Sequence, residues 1–119
     1  MAVTHGAATR NNISDTVLTD IGASGFLEFR TSGDVECATL PLSATAGVVS
    51  GAVLTFNAIS DDTNATGGVV AKFAITTSAP ADVLLGAVAT SGSDINMSSL
   101  TVGATDTVSC SPLTYTAPV

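Results

Sequence analysis

The sequence predicts a mainly β protein, an antiparallel β-sandwich or jelly-roll-like domain that follows a short N-terminal arm and a helix. Ser and Thr are abundant, and Thr, Val and Ile favour strands through their branched Cβ atoms, whereas the runs of Glu, Lys, Gln and Leu typical of stable helices are largely missing. Turn signals recur at roughly the 8–12-residue spacing of sandwiches. The 119 residues are enough for one domain with its own core.

The chain begins with an arm and a helix. Residues 1–9 are small and polar, which predicts a flexible arm. Apolar residues then recur every four positions from Ile13 to Ile21, which places them on one stripe of a helix over residues 10–21. Gly22 follows as the predicted stop, since glycine readily adopts the conformation that ends helices.

Two strands are predicted after the helix. Apolar and polar residues alternate from Gly25 to Thr31, the pattern of a half-buried strand. Val35 to Leu42 forms the second strand, in which Pro41 indicates a sheet edge or a strand end. Residues 43–50 are small and are predicted to form a loop.

A long hairpin is predicted in the middle of the chain. Residues 51–59 and 69–76 are strand candidates, and the second shows the clearest alternation. The turn cluster of residues 61–68 lies between them. Lys72 is on the outward phase of the second strand, where a charge would block edge-to-edge aggregation.

The last third of the chain is predicted to contain several short strands. Residues 83–89 are an almost continuous apolar run, which predicts a strand covered on both faces. Short strands are expected near 95–97 and 100–102. The last strand runs from Val108 to Tyr115, with a bulge where Ser111-Pro112 shifts its phase.

Charge excludes several classes of partner. The net charge is −7 and the isoelectric point about 4.1. Arg10, Arg30 and Lys72 are too few and too scattered to neutralise phosphates, so we expect neither nucleic acid nor a membrane surface as a partner. No apolar run reaches the roughly 18 residues of a membrane span, and the first residues lack the features of a signal peptide, so synthesis in the cytoplasm is expected.

The residues offer little for catalysis. The chain has one histidine, His5, and it lies in the arm, so no imidazole is placed to activate a Ser, Thr or Cys nucleophile. We therefore expect no enzyme activity and no cofactor. Asp62-x-Asn64-x-Thr66-Gly67 matches the first half of a calcium loop, but Phe73 occupies the position of the bidentate Glu. An ordinary turn is the favoured interpretation, and no metal site is predicted.

The two cysteines, Cys37 and Cys110, both lie in apolar, strand-like runs. Free Cys behaves there as a small buried hydrophobe, so reduced thiols are favoured over a single disulfide between them.

Several blocks of sequence, taken in order, resemble small virion proteins of tailed bacteriophages. They are Arg10–Asn12 with Ile21–Arg30, then Ala58–Gly67, and finally Gly86–Asn96. The resemblance covers most of the chain and implies a non-enzymatic structural protein of the virion. Among such proteins a capsid decoration (cement) protein is favoured, with a small β-rich fold that binds the outer head shell and stabilises it.

The resemblance also implies the partners and the location. The expected partners are the major capsid protein and further copies of this chain, with a homotrimer favoured, and the expected location is the capsid surface of the virion. A tail, neck or fibre-associated structural protein is the alternative. A carbohydrate-binding module is a remote one, because sugar platforms use exposed aromatic rings and this chain has no Trp and one Tyr.

Composition agrees with a role in protein assembly. Mean hydropathy is +0.50, yet only 11% of the residues are charged. Average globular proteins carry roughly 25% charged residues. Such a chain has apolar surface to cover, which favours contacts with other subunits.

Overall fold

A computed structural model describes residues 3–93, 95–110 and 113–117. Within these ranges the chain forms a helix and ten strands: α1 (Ala7–Ile21), β1 (Phe26–Arg30), β2 (Glu36–Pro41), β3 (Gly47–Ser50), β4 (Val53–Phe56), β5 (Gly68–Val69), β6 (Lys72–Thr76), β7 (Asp82–Ala89), β8 (Ile95–Asn96), β9 (Thr101–Val102) and β10 (Thr114–Thr116).

The strands form three sheets. The largest has the order β2-β1-β6-β7-β8, with antiparallel neighbours except for a short parallel pairing of β7 with β8. A second sheet has the order β10-β4-β3, and β5 pairs with β9. The prediction of a mainly β protein is confirmed, whereas the finer assignment to a sandwich or a jelly roll stays a prediction.

The core is built on the alternation of β1. Leu27 and Phe29 point inwards and are fully buried. Leu27 lies in register with Leu40 on β2 and with Ile75 on β6, and both of these residues are buried as well. Side chains of directly paired residues share one face of a sheet, so this row forms a continuous apolar layer across three strands.

The helix begins earlier than predicted. It starts at Ala7, so residues 7–9, which the sequence assigned to the arm, are helical. It ends as predicted: Gly22 has φ +69° and donates its N–H to the Leu18 carbonyl. The hydroxyl of Ser14 is fully buried and donates to the Ala52 carbonyl at 2.7 Å, which ties the helix to the β3–β4 turn.

The same turn is hydrogen-bonded both to α1 and to the residue that follows β10. Gly51 and Ala52 have φ of +58° and +68°, the paired positive values of a two-residue mirror-image hairpin turn. The Ala52 N–H donates to the Asn11 side chain at 3.3 Å, and the Ala117 N–H donates to the Ala52 carbonyl at 3.1 Å. Arg10 in turn donates to the Ala117 carbonyl at 3.0 Å, so α1 holds the end of β10 beside the hairpin.

Two predictions about the middle of the chain are wrong. Residues 47–50, predicted to be loop, form β3, because the two-residue turn brings Val48 and Val49 back alongside β4. The predicted hairpin between the strands on either side of the turn cluster does not form. β4 pairs with β3 and β10, whereas β6 pairs with β1 and β7. Strand patterns show which residues are extended, but not which strands pair.

Lys72 was predicted to protect a sheet edge, and this prediction is also wrong because strand pairing could not be derived from the sequence. β6 is the middle strand of the large sheet, so Lys72 does not guard a sheet edge. Its ammonium group pairs with Asp34 at 2.9 Å. Pro41 is confirmed as the last residue of β2, which is itself the outermost strand of that sheet.

The apolar run 83–89 is a strand, β7, but it is not covered on both faces. Val88 is its buried residue, and the Leu85 side chain is 66% exposed. The predicted bulge at Ser111-Pro112 lies outside the described residues. Two bulges occur elsewhere. Cys37 is an extra residue of β2 without a paired residue on β1, and Val83 is an extra residue of β7 without one on β6.

The close approach of α1 to β6 requires glycine at position 25. A Cβ added to Gly25 would clash with the Thr76 carbonyl oxygen and lie 2.9 Å from Cγ2 of Ile21. We expect Gly25→Ala to lower the free energy of unfolding by about 1–3 kcal/mol, as overpacking does in tight cores. Urea denaturation measures this loss. Gly33→Ala, in an open turn, is the matched control, and equal losses in both variants would contradict the proposed crowding.

Candidate functional site

The residues with reactive side chains are dispersed. His5 is exposed in the arm, Cys37 is buried and Cys110 is half-buried, and both cysteines are free thiols. Burial raises the pKa of both thiols, so they stay protonated near neutral pH. No group of three or more His, Cys, Asp or Glu residues that could hold a metal ion occurs among the described residues.

The Asp62 motif forms a turn that fastens a loop to β2. One carboxylate oxygen of Asp62 accepts the Thr39 N–H and the other accepts the Asn64 N–H, both at 2.9 Å. The hydroxyl of Thr66 donates to the carboxylate of Glu36 at 2.6 Å. The Asp62 carboxylate is therefore committed to backbone amides, the geometry of the turn interpretation.

The outer face of the large sheet is crossed by an arginine. Arg30 Nε pairs with the Glu28 carboxylate and Arg30 Nη2 with the Asp82 carboxylate, both at 2.8 Å. Arg30 lies opposite Lys72 of β6, but Asp82 lies opposite Thr76, four residues further along that strand. The guanidinium therefore reaches over Ala74, which explains how Ala74 is fully buried on an outward-facing phase.

Electrostatics on this face follow from the Arg30 contacts. The hydrogen bond from Arg30 lowers the pKa of the Asp82 carboxyl, and the paired carboxylates raise the pKa of Arg30 further above its usual range. With Lys72 on Asp34 and Arg10 on the Ala117 carbonyl, all three cationic side chains have partners within the chain. The net charge of −7 therefore arises from acidic groups that outnumber these cations.

A groove of about 330 Å³ lies between β7 and β10. Aromatic and aliphatic side chains line it, together with threonines of β10, and none of the described lining residues is charged. The apolar set includes Phe56, Phe73, Leu84, Leu113 and Tyr115. Phe73, Leu84 and Tyr115 are only half-buried although they pack against the core. Sequence analysis missed this groove, because its two walls come from strands that are distant in the sequence.

One part of β7, at Leu84 and Leu85, borders this groove. The Val88 N–H donates to the Ala71 carbonyl, so alternate β7 residues direct their backbone groups towards β6 and Leu85 directs its own away. Further along the strand, β8 pairs with Val88 and Ala89.

β10 forms the opposite border. The Leu113 carbonyl accepts the Phe56 N–H, and the Ala117 N–H donates to the Ala52 carbonyl, so odd-numbered residues here face β4. Thr114 and Thr116 therefore direct their backbone groups away from β4. As β10 is the outermost strand of its sheet, the groove lies between the outward edge of β10 and the part of β7 that contains Leu84 and Leu85.

A larger cavity of about 590 Å³ has Phe29 in its wall. Residues between 95 and 110 form most of this wall, including Met97, Asp106 and Cys110. Among the described residues that line it, no histidine or lysine stands beside the Cys110 thiol. The described lining therefore places no imidazole or amine base at this thiol.

Asp62→Ala tests the structural role of the turn. Two backbone amides would lose their acceptor, so we expect the free energy of unfolding to fall by about 1–3 kcal/mol. Thermal unfolding followed by circular dichroism measures the loss. The exposed neighbour Asp61 supplies the control, because Asp61→Ala should change stability by less than about 0.5 kcal/mol. A rise in melting temperature on adding calcium to the unaltered chain would instead favour the calcium-loop interpretation.

Asp82→Asn tests the arginine contact through pH. Because the pKa of Asp82 is lowered in the folded state, the stabilisation is complete above the ordinary Asp value of about 4 and is lost as pH falls through the folded-state value. We expect Asp82→Asn to cost at most about 1 kcal/mol at neutral pH, since the pair is partly exposed. Urea denaturation at several pH values should show this difference in the free energy of unfolding vanish in acid.

Asp20→Asn on the exposed surface of α1 is the control. A difference for Asp82→Asn that persists in strong acid would contradict the assigned contact with Arg30.

Comparisons with known proteins identify no relative of this chain. No protein-family model matches the chain, no curated protein matches it, and no solved structure matches it. No helix formed by the described residues is long and apolar enough to cross a membrane. What the chain does must therefore be argued from its own residues and geometry.

Proposed function

We propose that this chain is a structural virion protein of a tailed bacteriophage, a capsid decoration protein that binds the outer surface of the head shell and stabilises it. The sequence blocks that resemble such proteins include β1, the Asp62 turn and the second half of β7, three parts of the structure with distinct roles. The proposed partners are the major capsid protein and further copies of this chain, with a trimer favoured.

The observation that carries the proposal is that β7 is apolar in sequence but partly exposed in the structure. This strand is the most continuous apolar run of the chain, yet its Leu85 side chain is 66% exposed and borders an apolar groove. Exposed apolar surface of this kind usually marks a site of contact with another protein. A subunit that works inside a protein assembly has a reason to keep it exposed.

The sandwich class of fold belongs to the same proposal. Leu27 and Phe29 of the large sheet and Leu54 and Phe56 of the three-stranded sheet contribute to one buried cluster. Two sheets that share a core are the basis of a sandwich. A shell-binding protein needs such a scaffold to hold exposed contact surfaces, and it needs no catalytic group.

The copy number of the protein in purified particles tests this function. Quantitative mass spectrometry gives the ratio of this chain to the major capsid subunit, with a known tail protein as the internal reference. We expect a ratio near one or a simple fraction of it, because decoration proteins repeat with the symmetry of the shell. A ratio as small as that of the tail protein would place the chain in the tail or neck. Absence from the particle would overturn the virion role.

A further inference from the structure

The outer face of β7 combines an exposed apolar side chain with an exposed carboxylate. Leu85 lies opposite Ala74 on β6, and Asp82 lies opposite Thr76, two residues further along that strand. Residues two apart on a strand face the same side of its sheet, so Leu85 and Asp82 share the outer face. Leu85 also borders the groove between β7 and β10. We refer to Asp82, Leu85 and the adjoining groove as the β7 surface.

The apolar part of the β7 surface suits a side chain of another protein. Leu84 and Tyr115 in the groove are only half-buried, and the Leu85 side chain is exposed at its border. An apolar side chain that entered the groove would remove this area from water. Anchors of this kind carry much of the binding energy of protein interfaces, and the contacts around them exclude water.

The charged part of the β7 surface suits a cation. Asp82 pairs with Arg30, but the Asp82 side chain is 43% exposed, whereas that of Arg30 is 12% exposed. Arg30 also pairs with Glu28, so two carboxylates share one guanidinium and one negative charge stays unbalanced. A protein that approaches this face therefore meets a carboxylate, in a chain whose net charge is −7.

We propose that the β7 surface is the docking site for the major capsid protein, which places an apolar side chain in the groove beside Leu85 and a Lys or Arg on the carboxylate of Asp82. This inference rests on the proposed function and names the surface and the chemistry through which the chain would act.

Charge distinguishes this partner from a second copy of the chain. The three cationic side chains, Arg10, Arg30 and Lys72, are all bonded within the molecule. Another copy would have to break one of these contacts to supply a cation to Asp82. A partner with its own exposed Lys or Arg makes the contact without that loss.

Binding of the purified chain to undecorated heads tests this inference. The heads come from a phage whose gene for this chain is deleted, and co-sedimentation of the labelled chain gives the apparent Kd. We expect Leu85→Thr to weaken binding by roughly tenfold or more, because a hydroxyl replaces the apolar contact. Thr favours strands, so the variant should fold, as circular dichroism would confirm.

Val48→Thr is the matched control. Val48 is also exposed, at 62%, but β3 lies on the far side of β4 from β10, and Val48 is not among the described residues that line the groove. The same replacement by Thr at this site should leave the apparent Kd within about twofold of that of the unaltered chain.

Asp82→Asn tests the charged contact. Loss of the carboxylate should weaken binding roughly threefold to tenfold at low ionic strength. This difference should shrink at high salt, because exposed charges are screened there. Asp20→Asn on the exposed surface of α1 is the control and should bind within about twofold of the unaltered chain.

The outcomes separate this inference from the proposed function. If the unaltered chain and both Thr variants bind the heads equally well, the β7 surface is not the docking site, although capsid decoration stands. If Leu85→Thr weakens binding but Asp82→Asn does not at any salt concentration, the proposed contact with a cation is wrong. If the unaltered chain does not bind heads, the decoration function and this inference are both overturned.

A second copy of the chain is the competing occupant. Sedimentation equilibrium of the unaltered chain and of Leu85→Thr detects it. If Leu85→Thr abolishes self-association and leaves binding to heads unchanged, the β7 surface joins copies of this chain and the inference is overturned.

Discussion

The fold depends on β1, a strand that is used on both of its faces. Its inward residues Leu27 and Phe29 are fully buried and lie in register with apolar residues of β2 and β6. Its outward residue Arg30 extends over Ala74 to reach Asp82 on β7. One short strand thus connects three other strands of the large sheet, through apolar packing on one face and a charged contact on the other.

The second constraint lies at the N-terminus of α1. Ser14, Asn11 and Arg10 bind, respectively, the Ala52 carbonyl, the Ala52 amide and the Ala117 carbonyl. These contacts place the end of β10 next to the β3–β4 hairpin and so determine one wall of the groove. Buried and half-buried polar contacts of this kind specify position, because a misplaced strand would leave donors and acceptors without partners.

Charged and apolar side chains lie on different parts of this molecule. Here the ionic contacts are concentrated on the outer face of the large sheet, whereas the described residues that line the groove, among them Leu84 and Tyr115, are uncharged. The molecule therefore separates a charged, internally paired face from an apolar groove.

The sequence by itself determined the local features of this protein. These are the mainly β class, the end of α1 at Gly22, the alternation of β1, the strand end at Pro41 and the strand character of residues 83–89. Each depends on residues a few positions apart, which a sequence pattern records directly. Only the tertiary structure decided that β4 and β6 lie in different sheets, that β7 stays exposed at Leu85, and that β7 and β10 enclose a groove. These depend on pairings between distant strands, and a periodic pattern is the same whichever strand lies alongside it.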